Sequence, residues 1–160
     1  MALKPLHNPV VTNVDWFMNE VASRGGVVVM STAASGSAMD NAVSLVTYAS
    51  NPSGKLPIGV LLCDMVNKDL TQTHLNQHKN EVQIGSKVTI GRVGEWTTDM
   101  IYPGLTIAAQ DCAYMGPSGL LQNVDVNTVA TPIVGIFATS KDEDGYAKVY
   151  VNLPMATPRI

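Results

Sequence analysis

Charge is the first thing this chain lacks. Only 14% of its residues are Asp, Glu, Lys or Arg, against roughly 25% in an ordinary soluble domain. The charge present is nearly balanced, 10 basic against 13 acidic side chains. The basic surplus that grips a nucleic-acid backbone is therefore missing. Aromatic residues make up 6%, and Trp16, Phe17 and Trp96 are too few and too scattered to stack bases. Cysteine occurs twice, at Cys63 and Cys112, each inside an apolar run. The pair reads as two small buried hydrophobes, with a disulfide as the lesser alternative, and the spacing suggests neither metal nor redox work. Apolar residues reach 46% and mean hydropathy is +0.12, yet no run of about 18 apolar residues exists to cross a membrane. The opening MALKPLHNPVV has no charged-then-apolar pattern, so no export route is expected. These absences predict a soluble chain that meets neither nucleic acid nor membrane and covers some apolar surface with a partner.

What is abundant points to sheet. Valine occurs 20 times and threonine 13 times, and both suit a pleated surface. Thirteen glycines and nine prolines punctuate them at the rhythm of a barrel or sandwich. The chain of 160 residues is long enough to bury a core without metal or disulfide. The expectation is an all-β fold: a compact β-barrel or β-tulip-like domain, with an extended N-terminal arm and at most one or two short helices. The arm spans residues 1–24, the β-rich core 25–153 and a tail 154–160. Asp15 is placed to cap a short helix running to Arg24, with Trp16, Glu20 and Arg24 four apart and Gly25-Gly26 as the stop. Strands are expected at 27–30, 42–48, 58–63, 82–84, 87–93, 96–101, 105–114, 120–122, 133–139 and 146–153, with Gly85 and Gly91 interrupting a hairpin-rich region and Gly94-Glu95 turning the chain into 96–101. The stretch 64–80 is the most polar and reads as loop or a helical turn or two.

Convergent ionisable groups, which enzymes need, are sparse. His74 and His78 are four apart and Glu81 follows three later; on a helix these three would share a face and suit a transition metal. The stretch reads weakly as helix, and Leu75 stands where a metalloprotease pattern puts glutamate. Hydrogen bonding by two histidines of a polar linker is the blander reading. No nucleophile elbow, dinucleotide loop or phosphate loop occurs. Asp142-Glu143-Asp144-Gly145 reads as a solvated hairpin tip rather than a calcium site. No catalytic residue and no cofactor are expected. What remains is binding through surface area, with the proline-bearing arm lying across another subunit.

Several phrases resemble the small capsid decoration (cement) proteins of tailed bacteriophages. They are the strand after Gly25-Gly26, the run Pro57-Ile58-Gly59-Val60-Leu61, and the segment LTQTHLNQHKNEVQIG from Leu70 to Gly85. Ala113 to Gly119 with Leu120-Leu121, and Pro132 to Phe137 ahead of a final strand Ala147 to Asn152, complete the likeness. It covers about four-fifths of the chain, from Gly26 to Leu153. The resemblance implies a non-catalytic β domain, made in the host cytoplasm and seated as a homotrimer on the outer capsid surface of the virion. It would clamp neighbouring major capsid protein subunits near local three-fold positions. On that reading Leu3, Leu6, Val10, Val11, Trp16 and Phe17 are apolar capsid-contact anchors, and removing residues 1–14 should weaken attachment while leaving the barrel folded. Two alternatives stand beside it. One is another virion component, such as a head-fibre base or tail protein. The other is a small metal-binding β-barrel using His74, His78 and Glu81.

Overall fold

The computed structural model describes residues 4–33, 44–64, 80–124 and 131–153, with the backbone alone at 4–9 and 64. The all-β expectation holds. The only helical turn among the described residues is a 3-10 turn, Pro117–Gly119.

The first half of the chain closes a ring of strands. β1 (Lys4–Met18) is followed by a two-residue strand β2 (Ala22–Ser23), then by β3 (Val27–Met30), β4 (Leu45–Thr47) and β5 (Pro57–Asp64). A short β6 (Glu81–Val82) precedes the long β7 (Lys87–Thr98). β1 lies antiparallel to β7, β7 to β5, β5 to β3 and β3 to β4. β4 then returns to β1 through a parallel seam, Phe17↔Leu45 and Met18↔Val46. Such closure removes free edges. Inside the ring lie Met18, Val28, Val46, Leu61, Val88 and Ile90, with Ala22 and Val82 of the small β2–β6 sheet.

The second half extends the same sheet. β8 (Cys112–Met115), β9 (Leu121–Gln122), β10 (Ile133–Phe137) and β11 (Ala147–Asn152) continue it from β7 in the order β7-β11-β10-β8-β9. A second core gathers here around Trp96, Phe137, Met115, Leu121, Val149 and Val151, and it takes Val27, Val29 and Val60 from the ring. β3 therefore serves both cores, Val28 inward and its neighbours outward, so its sequence is a continuous apolar run rather than an alternation.

Three expectations are corrected. First, Asp15 to Arg24 is not helix. Strand β1 runs through Met18, where Trp16 pairs with Val88 and Phe17 with Lys87, and the chain then turns into β2. The four-residue spacing of Trp16, Glu20 and Arg24 is put to separate uses. Trp16 packs on the ring core, Glu20 Oε1 accepts from Tyr48 N and Thr47 Oγ1, both at 2.5 Å, and the Arg24 side chain donates to Asn80 Oδ1 at 2.8 Å. Residues 4–18, read as part of an arm, are thus a strand of the sheet. Second, Gly91 and Gly94 do not interrupt β7. They leave a hollow that the Trp96 indole fills, and a Cβ on Gly91 would come within 2.4 Å of Trp96 Cζ2. Third, residues 105–111 are loop, and strand begins only at Cys112.

Tyr48 joins the two halves. Its hydroxyl donates to the Ser23 carbonyl and accepts from Gly26 N at 3.2 Å. Its ring covers Gly26 and Gly119, where a Cβ would come within 2.8 and 2.4 Å of it. Gly119 also has φ +75°, a conformation open to glycine at little cost. Next to this ring, Ser118 N donates to Ala49 O at 2.7 Å, tying the 3-10 turn to the end of β4.

Candidate functional site: an outward sheet face

Register defines one continuous outward face across five strands. Cys112 on β8 pairs with Ile136 on β10, Ile136 with Tyr150 on β11, and Tyr150 with Glu95 on β7. One step along, Asn152 pairs with Val93 and Val93 with Val11 on β1. One step the other way, Lys148 pairs with Thr97. Directly paired residues point the same way, as do residues two apart on a strand. The opposite face carries Ala147, Val149, Val151, Trp96 and Phe137 into the second core. Val11, Ile136 and Tyr150 are 49%, 46% and 45% exposed, and Cys112 is exposed beside them. Lys148 is exposed and Glu95 half-buried. They are diagonal neighbours of opposite sign, Glu95 at the end of the row and Lys148 one step beside it. Among the side chains described, the face offers aliphatic and aromatic area with one charge of each sign, and the backbone register sets Lys4 opposite Thr97 and His7 opposite Glu95. Such area suits contact with another macromolecule.

The loop before β8 is fixed by Asp111. Its Oδ2 accepts from Ala108 N at 2.9 Å and from Asn123 Nδ2 at 2.7 Å. The Ala108 backbone N–H, then the Asn123 amide, hold the Asp111 carboxyl below its ordinary range. At the other end of the sheet the acidic turn is a hairpin tip, as expected. Asp142 Oδ1 accepts from Asp144 N at 3.1 Å and Tyr146 N at 2.7 Å, and Gly145 takes φ +87°.

The residues singled out from sequence fare differently. Val11 lies on the outward face. Val10 packs against the second core and Trp16 against the ring core, while Phe17 is half-buried. Leu3 lies outside the described residues, and Leu6 is described by its backbone in β1 alone. His74 and His78 lie outside the described residues too. Glu81 is exposed on β6 and accepts from Gln83 Nε2 at 2.5 Å. Among the described residues no three His, Cys, Asp or Glu side chains converge as metal ligands. Both cysteines are free, and Cys112 is exposed rather than buried. Sequence reading missed Tyr150, Lys148, Glu95 and Ile136. For Tyr150 and Lys148 the signal was available, since β11 alternates buried and exposed along Ala147–Asn152 without a fault.

No family model matches the chain, and no curated protein matches it. Among solved structures the fold is similar to that of the head fiber gp8.5 N base in bacteriophage phi29. The TM-score is 0.53 at 13% identity, over 89% of this chain and 94% of that one. At that identity the likeness is one of fold.

Proposed function

We propose that the chain is a structural component of a tailed-bacteriophage virion, carried on the outside of the head, in the role of a head-fibre base. The observation that carries this reading is the fold likeness to such a base over nearly the whole of both chains. An all-β body whose exposed chemistry is a low-charge sheet face fits a mechanical role, in which no reaction is asked of the chain. A fold alone does not choose between roles, and the cement role, a clamp across neighbouring major capsid protein subunits, is the narrower alternative carried by the sequence phrases. In both roles the partners are the major capsid protein and further copies of the chain. A homotrimer near local three-fold positions is the assembly the resemblance implies, and the chain would reach the head from the host cytoplasm.

The test is sedimentation of undecorated heads with the purified chain, followed by imaging of the pelleted particles. Pelleting at a fixed ratio to the shell protein supports a head component. Isolated projections then mark a fibre base, and density bridging neighbouring capsomers marks a clamp. A chain that stays in the supernatant at every ratio overturns both.

A further inference from the structure

The ring of strands is held most lightly around β4. On the way round, β1–β7, β7–β5 and β5–β3 are antiparallel, whereas the β1–β4 seam is parallel and two residues long, Phe17↔Leu45 and Met18↔Val46. Parallel pairing is slightly less stable per residue. On its other side β4 meets β3 over Val29↔Thr47 and Met30↔Val46, but that side has further ties. Ser31 N donates to Leu45 O at 2.9 Å. Tyr48, directly after β4, accepts from Gly26 N, directly before β3, at 3.2 Å.

The β1 side ends instead on a side chain. Phe17 N donates to Ser44 O and Asn19 N to Val46 O, both at 2.9 Å. A parallel ladder would next send Tyr48 N to the Asn19 carbonyl. Tyr48 N goes to Glu20 Oε1, at 2.5 Å, and the same oxygen accepts from Thr47 Oγ1 at 2.5 Å. A half-buried carboxylate therefore supplies the last rung of the seam. Bonds to a charged acceptor are about twice as strong as neutral ones. The one other side-chain tie printed across this end, Asn19 Nδ2 to Ser31 Oγ, is long at 3.3 Å.

We infer that the ring opens locally at this seam, with Glu20 as its latch: β4 parts from β1 while it stays on β3 and the rest of the sheet stays paired. Opening bares the edges of β1 and β4 that closure hides, and makes them available for strand addition. It also uncovers Met18 and Val46, both buried in the ring core. The open form is therefore a minor state, reached at a cost between that of fraying and that of global unfolding. The inference does not rest on the virion reading and stands or falls apart from it.

The experiment is native-state amide hydrogen exchange on the full chain, read by NMR over a series of urea concentrations below unfolding. The samples are wild type, Glu20→Ala, Glu20→Gln and Tyr48→Phe. The Phe17 and Asn19 amides report the seam, and those of β11, which is paired on both sides, report global unfolding. In wild type the seam amides should exchange about tenfold or more faster than β11 and depend little on urea, because a local opening exposes little surface. Glu20→Ala removes two bonds to a charged acceptor and should speed the seam amides about tenfold or more again. Glu20→Gln keeps the accepting oxygen and should recover most of that loss. Tyr48→Phe should speed β11 and leave the seam amides at their wild-type rate, because its hydroxyl bonds, to Ser23 and Gly26, survive the opening. Seam amides with the rate and urea slope of β11 overturn the inference. So do seam amides indifferent to Glu20→Ala, or sped by Tyr48→Phe as much as β11 is. If Glu20→Ala does not fold, the wild-type rates and urea slopes decide by themselves.

Discussion

Replacing Tyr48 by phenylalanine separates the hydroxyl from the ring that joins the two halves of the fold. The ring remains over Gly26 and Gly119, so packing is preserved. What is lost is the donor to Ser23 O and the acceptor for Gly26 N. Ser23 is exposed, and its carbonyl can turn to water; Gly26 is buried, and its N–H cannot. A buried donor left without a partner costs about 1–3 kcal/mol. For a domain of this size, about 2 kcal/mol lowers Tm by roughly 4–8 °C. The same group governs alkaline stability. Burial, first, pushes the Tyr48 phenol far above its ordinary range; the Gly26 N–H acts the other way and Glu20 adds to the rise. The folded state thus keeps its proton where the unfolded chain, with a phenol of pKa about 10, releases it. The contribution is constant below pH 10 and is lost as pH rises from there towards the folded value. Its slope is at most about 1.4 kcal/mol per pH unit, because one proton is involved. Urea unfolding of wild type and Tyr48→Phe at pH 7 and at pH 10.5–11.5 measures both effects. A variant within about 0.5 kcal/mol of wild type at pH 7, the ordinary range for a surface change, would refute the argument, as would parallel alkaline slopes.

Two further predictions rest on close backbone approach and on strand pairing. Gly135→Ala places a Cβ 1.9 Å from Tyr150 O, a backbone atom, so β10 and β11 must part. A loss of about 3 kcal/mol or more is expected in urea unfolding, and a loss under 1 kcal/mol would contradict the β10–β11 register. Removing residues 1–14 strips β7 of its β1 partners from Ile90 to Thr97 and uncovers the side of the second core where Val10 packs. The truncated chain should lose cooperative thermal unfolding. A sharp transition near the wild-type Tm would restore the view of this segment as a detachable arm.

How much could be read from the sequence depended on the range of the signal. Val27–Met30 was bounded by Gly25-Gly26, and Ile133–Phe137 with Ala147–Asn152 was bounded by an acidic glycine turn. Such punctuation acts within a few residues, and these strands stand where expected. The segment from Asp15 to Arg24 carried a capping residue and a four-residue spacing, yet became strand because β7 and β4 offered it partners. A local pattern cannot weigh a partner some seventy positions away. Gly91 and Gly94 misled for the same reason: a glycine that ends a strand and a glycine that makes room for an indole look alike until Trp96 is placed. The candidate face was half legible, since the alternation of β11 marks Tyr150 as outward but nothing local sets Ile136, Glu95 or Val11 beside it.

By itself the sequence determined the fold class. Many β-branched residues with regular glycine and proline specify an all-β body. Only the tertiary structure decided that β1 is built into the sheet, that the first strands close a ring, and that Cys112 faces solvent. Propensity and turn chemistry act along the chain and are written in neighbouring residues. Ring closure and the outward face depend on hydrogen-bond register between strands far apart in sequence, and a shift of one residue in that register would turn every side chain to the other side.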